Sequence, residues 1–186
     1  DAGVNFAGFG GAVAGIMGRA LTDLAVNNLA MYYAQQNSAI AEALGLTGGS
    51  GTGAAVDFAK AQDGKPYIWG GVGPAGYDCS GYMSAIANVL TGADSPHRRL
   101  FTTGQVWGRG AVPFGPFVPG LGGKFQIGVS NGHTAGTLLG TNVESTGNHV
   151  RYGKDAHGAT DKQFGLHFHI PDDKIVEGAA TWDFGG

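Results

Sequence analysis

One cysteine, Cys79, is present in 186 residues. A lone thiol excludes an internal disulfide and any four-cysteine metal site. It fits a reducing compartment as well as an extracellular protein without disulfides, so it fixes no location. Charge is scarce near the start: residues 2–56 carry only Arg19, Asp23 and Glu42. No basic residue precedes Arg19, so the opening run is not expected to be a secretory signal peptide. The net charge is −3, and the Lys and Arg residues are scattered. That argues against a nucleic-acid partner. Internal repeats and long low-complexity tracts are missing. The 36 glycines far exceed the usual share of about 7%, yet they follow no Gly-X-Y period, which excludes a collagen-like chain.

What is there divides into four pieces. Residues 1–46 read as an apolar helical appendage. Ala2 to Gly18 is an uncharged Gly/Ala-rich run, and Ile16, Met17, Ala20, Leu21, Leu24 and Ala25 fall at helical spacing that continues toward Leu44. A helix with so little charge has to bury itself all round. Packing against other protein chains is the first reading, and membrane contact of residues 2–18 the second. Residues 47–54 have the composition of a Gly/Ser linker. Residues 55–170 form the main domain, and 171–186 an acidic C-terminal tail that docks through Trp182 and Phe184 or stays loose. The chain opens on Asp rather than Met, which reads as the mark of a fragment or a processed product.

The chemistry gathers at Cys79. Residues 79–90, CSGYMSAIANVL, place Tyr82, Met83, Ile86, Val89 and Leu90 on one helical face. Asp78 is the expected N-cap and Thr91-Gly92 the expected stop. A thiol in the first helical turn faces unpaired N–H groups and the positive end of the dipole, which favour its thiolate. The plainer alternative is a small buried hydrophobe.

A cysteine nucleophile needs a base. Of six histidines, His133 is the best placed. It follows a strand pattern at 124–129 and a Ser130-Asn131-Gly132 turn, and it leads into a second strand pattern at 134–139. Gly140-Thr141-Asn142 reads as a turn, and Val143-Glu144-Ser145 begins a third strand. Glu144 on the neighbouring strand would orient the imidazole and stabilise its charged form.

Pro66-Tyr67-Ile68-Trp69-Gly70-Gly71, then Tyr77-Asp78-Cys79-Ser80-Gly81, then Gly132-His133-Thr134-Ala135-Gly136-Thr137-Leu138 together resemble the NlpC family of papain-like cell-wall cysteine peptidases. The resemblance covers residues 55–152 and makes 55–170 the peptidase domain. It implies an α+β fold, an antiparallel sheet with the nucleophile helix packed on it. It implies hydrolysis of peptidoglycan stem peptides, commonly between D-isoglutamate and a diamino acid. It makes Cys79 the nucleophile, His133 the base and Glu144 the third polar member. Tyr67, Asp78 and Ser80 take positions that line the family's substrate cleft. No metal and no organic cofactor is implied. Two departures stand out. The Pro119-Gly120 turn lacks the acid that often follows it in the family, and the hairpin after His133 is about one residue off the usual length. Asn142, Ser145 and, more distantly, His149 therefore remain alternatives for the third member.

An apolar helical lead joined to such a domain also resembles the C-terminal part of tail tape-measure proteins of actinobacterial phages. That implies other virion tail or envelope proteins as partners, and a location in a virion tail or, failing that, in the cell wall or secreted. Three functions compete: a peptidoglycan endopeptidase, a non-catalytic tail or wall-binding module on the same fold, and an acyl transferase using the same chemistry.

Residues 95–123 read as a long irregular connection rich in Pro and aromatics, either a lid or a surface loop pinned by its rings. His97-Arg98-Arg99 reads as a solvated turn, or as a contact for acidic stem-peptide groups. His167 and His169 share one face of a strand pattern. With Asp155 and His157 they could be imagined around zinc, but the usual ligand spacing is missing.

Overall fold

The computed structural model describes residues 46–47, 49–178 and 181–182. The apolar appendage before residue 46, its expected helix and the membrane reading of residues 2–18 lie outside the described residues, as does Phe184. Leu46–Thr47 (β1) pairs antiparallel with Thr181–Trp182 (β8). The compact unit is Gly49–Gly178. Among the described residues, no helix is long and apolar enough to cross a membrane.

The compact unit is α+β. Its helices are α1 (Thr52–Ala61), α2 (Cys79–Leu90) and α3 (Thr103–Arg109). Its strands are β2 (Val118–Pro119), β3 (Phe125–Val129), β4 (Thr134–Leu138), β5 (Thr141–Thr146), β6 (His149–Tyr152) and β7 (Leu166–Ile170). They form one six-stranded sheet in the order β2-β7-β3-β4-β5-β6, antiparallel at every pairing. Helix α2 packs on β4 and β5, and α1 packs on α2.

Helix α2 runs over the residues its pattern predicts. Asp78 caps it by accepting the Gly81 N–H at 2.6 Å, and Thr91 ends it. It is buried nearly all round: Tyr82, Met83, Ile86 and Leu90 are fully buried, each contributing about 2 kcal/mol of transfer free energy. Its remaining polar residues form a stripe at i, i+4 spacing. The Ser80 hydroxyl meets Arg99. The Ser84 hydroxyl accepts the Leu100 N–H at 3.1 Å. The Asn88 amide donates to the carbonyls of Pro96 and Arg98. This stripe fixes the segment 96–100 along the helix.

Two boundaries differ from the sequence expectation. The glycine-rich linker expected at 47–54 belongs to the compact unit from Gly49 onward, and α1 already starts at Thr52. The Gly51 N–H donates to the Val89 carbonyl, and Ser50 bridges Gly178. Likewise the first half of the expected tail is built in. Val176 N–H donates to Leu90 O, and the Glu177 carboxylate accepts from the Thr52 N–H and hydroxyl at the start of α1. These contacts span 38 to 128 positions of sequence and are invisible to local composition.

The connection 95–123 is neither wholly irregular nor loose. It contains α3, capped by the Thr102 hydroxyl, which accepts the Gln105 N–H. Phe101, Phe114 and Phe117 pack on one another and on Phe125 and Phe168, with ring centroids 4.9–6.0 Å apart. The rings hold this segment onto the sheet.

Candidate active site

The site lies where the N-terminus of α2 meets β4 and β5. Cys79 opens α2 and is buried, with 6% exposure. Gly81 is required there: a Cβ would collide with the Gly71 carbonyl oxygen. The loop holding Tyr67 therefore lies against the first turn of the helix. Tyr67 and His133 both lie close enough to Cys79 to interact with its side chain. Three parts of the chain far apart in sequence thus converge on one sulfur.

His133 sits just ahead of β4. The register Gly136↔Val143 places Glu144 opposite residue 135. That is two residues from His133 and on the same face of the sheet. The imidazole Nε2 and the Glu144 Oε1 lie 2.7 Å apart. Nε2 being engaged, Nδ1 is the ring nitrogen left to face the thiol. Of the candidates for the third position, Glu144 is the one bonded to His133. Ser145 donates to the Tyr77 carbonyl at 2.8 Å. The Asn142 amide bonds Thr137 and the Ala156 carbonyl. His149 lies against Asn148.

Glu144 is 1% exposed, and its oxygens are well supplied with donors. Besides His133, they meet the His157 N–H at 3.0 Å and the His157 Nδ1 at 3.0 Å. Burial works against the carboxylate, but the hydrogen bonds from His133 and His157 prevail and lower its pKa to about 2. Burial also works against a charged His133. There, the interactions with Cys79 and Glu144 outweigh burial and raise the pKa to about 9. The ring is therefore imidazolium at neutral pH. For Tyr67, burial first, then the charges of Cys79 and Asp78, push the phenol upward, so its hydroxyl stays a donor.

Asp78 and Ser80, expected on the cleft wall, are 8% and 4% exposed. Their polar atoms are engaged. The Asp78 carboxylate accepts from the Gly70 N–H, the Gly81 N–H and both terminal nitrogens of Arg99. The Ser80 hydroxyl accepts from Arg99 Nη1 at 2.7 Å. Arg99 also donates to the Gly71 carbonyl. It is thus no solvated turn: one guanidinium ties the Gly70-Gly71 loop to the cap of α2.

The histidines imagined around zinc do not converge. His157 is on Glu144, His169 bonds the Gly120 carbonyl, and His167 pairs with Gly128 across β3 and β7. Among the described residues, no group of three metal-ligating side chains comes together.

Sequence reasoning missed two residues of this neighbourhood. Arg99 had a signal in the Ser80/Ser84/Asn88 stripe, which calls for a polar partner along an otherwise buried helix. His157 had none, because it reaches Glu144 from a loop after the hairpin.

No solved structure matches this chain. Residues 64–152 match the model of the NlpC/P60 family, and this stretch contains Tyr67, Asp78, Cys79, Ser80, His133 and Glu144.

Proposed function

We propose that the protein is a peptidoglycan endopeptidase that hydrolyses stem peptides through Cys79, His133 and Glu144. The family match supports a cysteine hydrolase directed at peptidoglycan in general terms. The observation that carries the finer reading is the placement of Cys79 at a helix N-terminus beside His133, whose imidazole is bonded to Glu144.

The geometry supports the following roles. Cys79 attacks the peptide carbonyl as thiolate, forming the C–S bond and moving the carbonyl π electrons onto oxygen. The Cys79 N–H, in the first turn where no helical carbonyl is available, donates to that oxyanion. The Tyr67 hydroxyl, released from the sulfur as its charge is spent, is the second donor. His133, held as imidazolium by Glu144, protonates the leaving amine as the C–N bond breaks. Neutral His133 then takes a proton from water, which attacks the thioester; the C–S bond breaks, the acid product leaves, and the Cys79 thiolate and His133 imidazolium are restored. Tyr67 faces substrate directly. Asp78 and Ser80 line the cleft from behind, keeping the Gly70-Gly71 loop and the helix cap in register through Arg99. The bond attacked is the one joining D-isoglutamate to the diamino acid, a preference taken from the family resemblance.

We also place this domain in a phage tail, where the apolar lead of residues 1–46 would join other tail or envelope proteins. The scarcity of charge over residues 2–56 motivates that setting. Detection of this chain by mass spectrometry in purified virions would support it, and its recovery only from host walls would end it.

The catalytic reading is tested by alkylation of Cys79 with iodoacetamide near neutral pH. Rapid reaction that slows in His133→Ala is expected. Slow reaction, indifferent to His133, would mark a structural thiol.

A further inference from the structure

The matched family segment ends at residue 152, but the site does not. The loop from Gly153 to Gly165 returns to the sheet beside His133 and Glu144. Three contacts fix its course. The Asn142 amide donates to the Ala156 carbonyl. The Ala159 N–H donates to the Thr137 hydroxyl at 3.0 Å. Gly158 fits so closely that a Cβ would collide with Asn142 Oδ1. Phe164, from the far end of the loop, packs on the His133 ring with centroids 5.9 Å apart.

Within this loop His157 is set over Glu144, meeting it with both its backbone N–H and its ring Nδ1. A carboxylate is acceptor-only, so Nδ1 is the donor in this contact. Nε2 then faces Asp161, whose Oδ2 is 3.9 Å away. The order of groups is Cys79, His133, Glu144, His157, Asp161. The imidazole of His157 is 49% exposed while Glu144 is 1% exposed, so the ring stands between the carboxylate and solvent.

We infer that His157 is a positioning residue for the Cys79–His133 pair: it holds the Glu144 carboxylate in place and dry, and so maintains the imidazolium that faces the thiol. The inference rests on the catalytic reading above. Other charged or titratable groups around this chain of contacts are few. Cys79 and Tyr67 face His133 from α2 and the loop before it. Arg151, the cross-strand partner of Glu144, donates to the Asp155 carbonyl and leans toward His149. Asp161 faces His157 from within the loop.

The test is the pH profile of Cys79 alkylation by iodoacetamide in the full chain, with His157→Ala and His157→Asn. Asparagine places an amide N–H near the position of Nδ1. His157→Ala is expected to slow the reaction about tenfold at neutral pH, the middle of the range for members of one hydrogen-bond network. It should also move the alkaline limb toward lower pH as water reaches Glu144. His157→Asn should recover rate and limb together. An unchanged profile in His157→Ala would overturn the inference. So would a slowed reaction with an unmoved limb that Asn fails to restore, since that describes a packing role. His133→Ala run alongside separates the two levels: if it too leaves the thiol's reactivity unchanged, the catalytic reading itself has failed.

Discussion

The guanidinium of Arg99 grips both carboxylate oxygens of Asp78, Nη1 to Oδ1 at 3.1 Å and Nη2 to Oδ2 at 2.8 Å. Paired bonds of this kind are strong and directional. Their place matters more than their strength. Asp78 is the cap of helix α2, and Arg99 arrives on a segment that the same helix fixes through Ser84 and Asn88. Arg99→Ala strands a largely buried carboxylate, and we expect a loss of about 2 kcal/mol in denaturant unfolding. Arg99→Lys should recover little of it, because one ammonium cannot reproduce the fork. A loss below half a kcal/mol would show that Asp78 is solvated without its partner.

The pH behaviour follows from the signs of two shifts. His133 is raised from 6.5 to about 9. Its contribution to stability is fully present below 6.5 and is lost as pH rises through 9. Glu144 is lowered from 4.5 to about 2. Its contribution is present above 4.5 and is lost as pH falls through 2. Both hold together between 4.5 and 6.5, so Tm should be highest there if these groups dominate. Glu144→Gln removes the negative charge and should bring the alkaline limb of Cys79 alkylation down by about one unit or more. A limb that stays at its wild-type position in Glu144→Gln would detach Glu144 from the pair.

Tyr67 separates binding from chemistry. In Tyr67→Phe the ring remains and the donor goes. Loss of one oxyanion donor costs about 3 kcal/mol of barrier, or roughly a hundredfold in kcat, with little change in KM. Steady-state kinetics on a stem peptide checks it. A raised KM with unchanged kcat would make Tyr67 a binding residue alone.

The local parts of this arrangement were legible because their signals are local. Helix α2 could be read to its caps from the spacing of Tyr82, Met83, Ile86 and Leu90 between Asp78 and Thr91. The strand on either side of the 130–133 turn showed by alternation. Glu144 was within reach of His133 once the hairpin was counted, but Asn142 and Ser145 sat on the same hairpin. The register and the bonds of Ser145 to Tyr77 and of Asn142 to Ala156 separate them. The rest depends on contacts between distant residues. Ser50, Gly51 and Thr52 look like linker, yet hold Gly178, Val89 and Glu177. Helix α3 carries two glycines in seven residues, which weakens its pattern, and it forms beside a cluster of rings the sequence spreads over 101–168. His157 lies on a loop with no periodicity at all.

The most direct test is mass spectrometry of the products formed when the purified protein meets defined muropeptides, with Cys79→Ala alongside. Cleavage within the stem peptide, at the D-isoglutamyl bond and absent in Cys79→Ala, is the predicted result. Folded wild-type protein that leaves the stem peptides intact, or cleavage that survives Cys79→Ala, would contradict the account.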